Sequence, residues 1–196
     1  LSWEPNVRGV DWFCREVWPL VRRRLPEATL EIAGGGLPTD ADGAQIAPPA
    51  WRAPGITMLG FVEDLTPLYE RSVAMVAPML GSAGISIKLL EAFRHGVPVV
   101  TTPDGAKGLE FEPGREALVE SEPDAFAARV VELATSPQAR ARLRVAAYAF
   151  LNEHHHLSAA QTAVRKLIGP SGAPDAASSI LRTTSSQRQA PSVASR

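Results

Sequence analysis

The sequence predicts an α/β protein built on a doubly wound parallel sheet, and three observations carry that prediction. Residues 73–77 and 97–101 are short apolar runs of strand length, and the segment between them has helical spacing, the pattern of a βαβ crossover. A glycine-bearing loop, residues 81–84, leaves the first run and opens the helix. An earlier strand-like run, residues 28–33, also ends in glycines, Gly34, Gly35 and Gly36. In open α/β sheets such loops sit at the carboxyl ends of strands, where ligands bind. The expectation is a Rossmann-like sheet with helices on both faces.

Taken in order, the chain opens with a helix. Asn6 suits its N-cap, and Val7, Val10, Cys14, Val17, Trp18, Val21 and Leu25 recur at helical spacing, with a kink expected at Pro19. The strand at 28–33 follows. Residues 37–55 hold four prolines around Trp51 and read as a long, variable loop. A strand at 56–59 and a short helix at 65–71 lead to the βαβ unit, whose helix starts near Ile85. A last small strand is expected at 117–120. Helices at 124–134 and 138–153 are separated by Ser136-Pro137, and a third is expected at 158–168. From 169 to 196 the composition turns to Ser, Ala, Thr, Pro and Gln, which cannot repay ordering entropy. The reading is a folded domain over 1–168 and a disordered tail, with no internal repeat.

The loop and helix of the βαβ unit carry the chemistry. The first backbone N–H groups of a helix lack intrahelical partners and lie at its positive end, so an anion fits there. Gly81 and Gly84 let the chain approach a ligand without a Cβ in the way. Lys88 and Glu91, three residues apart, share a face and lean back toward that end. Lys88 would meet phosphate. Glu91 would accept hydrogen bonds from the hydroxyls of a ribose or sugar.

The run from Lys88 to Phe93 (KLLEAF), then Gly96 to Thr102 (GVPVVTT) and Gly105 to Leu109 (GAKGL), resembles the donor-binding half of retaining group 1 glycosyltransferases of the GT-B fold. The resemblance extends upstream through Trp3, Pro5-Asn6, Leu25-Pro26, Leu30 to Gly36 (LEIAGGG) and Leu59-Gly60-Phe61-Val62, and covers about residues 1–167. It implies transfer of a sugar from a nucleotide-diphosphate-sugar donor to an acceptor, with retention of configuration. Glu91 then binds the nucleotide ribose, and the backbone of Gly84, Ile85 and Ser86 contacts phosphate and sugar. Gly34 and Gly35 become a wall of the donor cleft, and the loop at Val62 holds the base. Ser82 and Ala83 complete the donor loop, although Ala83 stands where the family often carries a first glutamate, eight positions before Glu91. The usual Arg and Lys phosphate clamp is also missing, with Trp3, Pro5 and Asn6 in its neighbourhood. Phosphate binding leans on the helix terminus and on Lys88, the candidate catalytic residue. The donor is a substrate, and no metal or other cofactor is expected.

The resemblance further implies a strand just before this chain and an acceptor-binding domain before that. The sequence instead starts at Leu1 and runs through Ser2-Trp3-Glu4-Pro5 straight into a helix, so it reads as truncated. Without that central strand, 28–33 and 73–77 would lack their shared neighbour. The acceptor, a glycan, lipid or small molecule, would bind the missing domain, and the fragment alone would bind donor but scarcely turn over.

Composition sets the remaining bounds. The 196 residues are 45% hydrophobic with a formal net charge of -1, enough for one core and no argument for nucleic acid. A single cysteine, Cys14, excludes an internal disulfide and reads as a buried reduced thiol, in keeping with a cytoplasmic protein. No signal peptide or long apolar span appears. Arg8, Arg15 and Arg22, with Arg23 and Arg24, form a helical stripe that reads as a solvated face, contact with the inner membrane surface being the alternative. His154-His155-His156 points in divergent directions and reads as a solvated helix end. His95 favours the negative end of its helix. Phe61 and Val62 could equally plug the core, and Gly34-Gly35-Gly36 lacks the later glycine of a dinucleotide fingerprint. Two rival functions remain at this level: a non-catalytic nucleotide-sugar binding module, and a nucleotide-sugar epimerase or hydrolase of the same fold.

Overall fold

A computed structural model describes residues 4–43, 46–81 and 85–154. The expected helix at 158–168 and the tail at 169–196 lie outside the described residues.

The first helical segment is one continuous rod with a widened turn inside it. Helix α1 spans Glu4–Trp12, a π-helical turn covers Phe13–Val17, and α2 runs Trp18–Arg24. Pro19 has no N–H to give Arg15, and the ladder adjusts just before it, where the Trp18 N–H bonds back to the Phe13 carbonyl. The disruption expected at Pro19 is therefore a π turn on its N-terminal side.

Strands are β1 Leu30–Ala33, β2 Ile56–Gly60, β3 Met75–Ala77, β4 Val99–Thr101 and β5 Leu118–Val119. They form two parallel sheets among the described residues, β1-β2 and β3-β4-β5. β1 pairs on one side only, with β2, and β3 on one side only, with β4. β1, β3 and β4 start two residues later than their apolar runs, because Ala28, Val73 and Val97 have no ladder partner among the described residues, whereas β2 runs one residue further than expected, to Gly60. The remaining helices are α3 Thr66–Arg71, α4 Ile87–Arg94, α5 Pro103–Ala106, α6 Pro123–Thr135 and α7 Pro137–His154. None of the described helices is long and apolar enough to cross a membrane.

Three apolar clusters hold these layers. Phe13, Val17, Trp18 and Val21 pack with Val100, Leu118, Phe126, Leu133 and Leu143, so the first rod and α6 clasp the larger sheet. On another side Leu89, Ala92 and Phe93 of α4 meet Val99, Phe111, Ala147 and Phe150. Around β1, Cys14, Ile32, Ala47 and Trp51 close a third cluster. Trp51 belongs to a 3-10 turn, Pro49–Arg52, and is wholly buried, with Nε1 donating to Asp11 Oδ1 at 3.2 Å. The segment expected to be a variable loop thus supplies a core anchor.

Helix ends are satisfied by named partners. The Thr102 hydroxyl caps α5 by accepting from the Gly105 N–H, and the Ser136 hydroxyl accepts from Ala139 to start α7. Arg140 donates to the Leu133 and Ala134 carbonyls at the end of α6. Arg144 Nε donates to the Gly96 carbonyl and Tyr148 to the Arg94 carbonyl, tying α7 to the end of α4.

Candidate functional site

α1 stands between the strand ends of the two sheets. Its Val7 and Val10 pack into the cluster that contains Ile32, Leu37 and Met58, beside the exits of β1 and β2. Its opposite side meets the exit of β3. Gly9 is buried there, and a Cβ at that position would lie 1.3 Å from the Pro78 carbonyl oxygen, so only glycine allows this approach. Asn6, one turn earlier, reaches α4, where its Oδ1 accepts a hydrogen bond from Lys88 Nζ at 2.9 Å.

The β3 exit loop is braced from β4. Thr101 Oγ1 donates to the Ala77 carbonyl at 2.8 Å, and Thr102 Oγ1 donates to the Met79 carbonyl. One residue pair further, Asp104 Oδ2 accepts from the Gly81 N–H at 2.7 Å while Lys107 holds the other carboxylate oxygen. Gly81 presents that N–H from φ +78, a left-handed conformation that favours glycine. The Lys107 ammonium and then the Gly81 N–H hold the Asp104 carboxyl below the usual carboxylate range. This N–H is therefore already occupied, and an anion at the loop would draw on other donors.

α4 begins at Ile87, two residues later than expected, with Ser86 as its N-cap in extended conformation. The Ser86 hydroxyl is turned inward, buried, and donates to the Met79 sulfur at 3.6 Å, leaving its backbone at the helix mouth. Ile85 and Ile87 are exposed beside it. Lys88 as a whole is exposed, yet neighbouring atoms partly desolvate its ammonium and hold the pKa below the ordinary lysine value. No ion pair joins Lys88 to a carboxylate among the described residues, although Glu91 lies three residues on. Glu91 is exposed. Burial first, and the Glu91 carboxylate second, push the Tyr69 phenol above its ordinary value, which puts Glu91 within electrostatic reach of α3.

At the other sheet, Gly34 and Gly35 are half-buried, and the Gly34 N–H donates to the Gly60 carbonyl at 2.7 Å. That bond pins the glycine run to the end of β2. Val62 is half-buried next to it, whereas Phe61 is 81% exposed and plugs no core. Ser82, Ala83 and Gly84 lie outside the described residues.

The structure adds residues that sequence reading passed over. Arg8 was one of a solvated stripe and its Nη1 pairs with Glu4 at 3.7 Å, yet the same atom would lie 3.9 Å from a Cβ at Gly81, beside the loop. Arg15 pairs with Asp11 and Arg22 donates to the Ala28 carbonyl, so those two are used within the fold. Asn6, expected as an N-cap, instead stands inside α1, and its contact, like those of Thr102 and Asp104, carried no spacing signal because the partners are far away in sequence. Among the described residues no three His, Cys, Asp or Glu side chains converge as metal ligands.

Comparison with known proteins bears on this arrangement. A profile of the family described as "Glycosyl transferases group 1" matches residues 1–136. Over 152 residues the chain is 24% identical to the "Uncharacterized 44.6 kDa protein in cps region" of Klebsiella pneumoniae, covering 76% of this chain and 39% of that protein. The chain thus spans well under half of that relative's length. The C-terminal domain of LpcC, a glycosyl transferase group 1 family protein from Francisella tularensis, is similar at a TM-score of 0.61 and 17% identity, covering 77% of this chain and 81% of that one. HepE of Anabaena, in complex with UDP and glucose, is similar at 0.61 and 17% identity, covering 77% of this chain and 43% of that one. At such identity these likenesses show the fold, that of a Rossmann-like C-terminal domain of GT-B proteins. With the match extending over 136 residues from Leu1, the chain belongs to the group 1 glycosyl transferases.

Proposed function

We propose that this chain holds the nucleotide-diphosphate-sugar donor of a retaining glycosyltransferase. The observation that carries the reading is the meeting, at α1, of two glycine-bearing strand exits with the free charge of Lys88. The Anabaena neighbour is described with UDP-glucose and with UDP, which supports a nucleotide sugar as the ligand class. The diphosphate lies at the mouth of α4, against the backbone of Gly84, Ile85 and Ser86 and the Lys88 ammonium. Glu91 accepts from the ribose hydroxyls, Gly34 and Gly35 wall the cleft, and Val62 borders the base.

Transfer breaks the bond between the anomeric carbon and the diphosphate oxygen, and the electron pair leaves with the diphosphate. The sugar passes to an acceptor hydroxyl, whose proton goes to the departing diphosphate. Lys88 and the helix N-terminus stabilise the charge that grows on the leaving group, more in the transition state than before it. No metal enters this reading. A glycan, lipid or small-molecule acceptor is held by a second domain of a longer protein, and the chain alone binds donor with little transfer. Action is cytoplasmic, with a lipid acceptor reached at the inner membrane face.

Calorimetry with UDP and with uridine tests the reading. Lys88→Met is expected to weaken UDP far more than uridine, because only the diphosphate carries the charge that lysine meets. Glu91→Ala is expected to weaken both, by about 1.5–3 kcal/mol for hydrogen bonds to a charged group. Unchanged affinities in folded variants would remove both assignments. Ala83, in place of a carboxylate, favours a second reading as a non-catalytic binding module. Sugar transfer by a longer protein that includes an acceptor domain, lost on Glu91→Ala, decides for the enzyme.

A further inference from the structure

Lys88 has a choice of partner within its own helix, and the fold does not take it. Glu91, at i+3, is spaced for an ion pair, which would neutralise the lysine before any ligand arrives. The ammonium is bonded instead to Asn6, 82 residues away in sequence, through an uncharged amide oxygen 2.9 Å from Nζ. Asn6 does not move freely. Three residues on, Gly9 seats α1 against the Pro78 carbonyl, so the helix that carries Asn6 is fixed relative to the β3 exit. An amide fixes position while leaving the net charge in place. A carboxylate there would fix the position but cancel the charge, since opposite charges at hydrogen-bond distance attract and neutralise one another.

We propose that Asn6 is a positioning residue for Lys88, holding the ammonium beside the β3 exit loop through a neutral contact so that its charge stays uncompensated for a diphosphate. The proposal rests on the donor-site reading and deepens it.

A double-mutant cycle in the 196-residue chain tests it, with UDP and uridine as calorimetric probes and the thermal midpoint as a check on folding. Asn6→Ala is expected to weaken UDP about 3- to 10-fold and leave uridine unchanged. Asn6→Asp, nearly the same shape, is expected to weaken UDP more than Asn6→Ala does, because it adds an opposing charge. In a Lys88→Met background the Asn6→Ala effect should vanish, since residues acting through one another are not additive. A packing role for Asn6 would move UDP and uridine together and would add to Lys88→Met, and either result overturns the proposal. So does an Asn6→Asp variant that binds UDP as the original chain does. If Lys88→Met itself leaves UDP binding intact, the donor reading of Lys88 falls first and this proposal with it.

Discussion

Gly9 shows how much one residue fixes here. Its absent side chain is what lets α1 touch the Pro78 carbonyl, and a methyl group placed 1.3 Å from that oxygen must push helix and strand exit apart. Gly9→Ala gains helix propensity of up to about 1 kcal/mol, but overpacking against rigid backbone costs about 1–3 kcal/mol or more, so net destabilisation is expected in chemical denaturation. A variant as stable as the parent would show that α1 can shift at little cost. Cys14, a turn and a half further on, illustrates the opposite case of a reactive group made inert. It is 2% exposed, and burial first, then the Asp11 charge, push its thiol up to about 12 from 9.0. A thiol-specific disulfide reagent at pH 8 is expected to leave it untouched until denaturant is added. With the folded value raised, its stabilising contribution is complete below 9.0 and fades as pH rises toward 12. Rapid reaction of the native chain at pH 8 would contradict this.

Among the elements, the βαβ unit was the most legible, because apolar runs, glycines and helical spacing are all local signals there. Its boundaries moved inward by a residue or two where a strand lacked a ladder partner. The loop from β4 was less legible. Thr102 and Asp104 act on Met79 and Gly81, more than twenty residues away, and nothing in the run TTPDGAKGL marks those side chains as braces. Asp104 offers a pH test of the brace. Its carboxyl is depressed below 3.8 by Lys107 and then by the Gly81 N–H, so the clamp is complete above 3.8 and is lost only as pH falls through the lower folded value. The Gly81 amide proton, followed by NMR from pH 7 downward, should keep its bonded chemical shift past 3.8. In Asp104→Ala it should sit at a solvent-like shift at every pH, with faster exchange. An amide indifferent to both changes would mean that the brace does not persist in solution.

At the scale of the molecule, the two sheets are joined through helices and, among the described residues, share no ladder. β1 and β2 contact the rest by way of the first helical rod, the turn that carries Trp51 and a two-bond ion pair from Arg71 of α3 to Glu31, whereas β3, β4 and β5 lie between α4, α6 and α7. The sequence pointed to strands without a common neighbour, but it did not reveal what binds them instead, because Trp51 sits in a proline-rich stretch with no periodicity. Its role depends on a contact with Asp11, 40 residues earlier. A fully buried indole therefore sits at the centre of the cluster that covers the smaller sheet. Trp51→Ala is expected to cost about 3–5 kcal/mol through the cavity it leaves. The loss should be uneven. Native-state hydrogen exchange should show the Leu30, Ile32 and Gly34 amides, which face β2, losing protection well before those of Val100 and Thr101, since local opening follows the distribution of buried contacts. Equal loss across both sheets would mean that they unfold as one cooperative unit and that the helical rod transmits the damage as a ladder would.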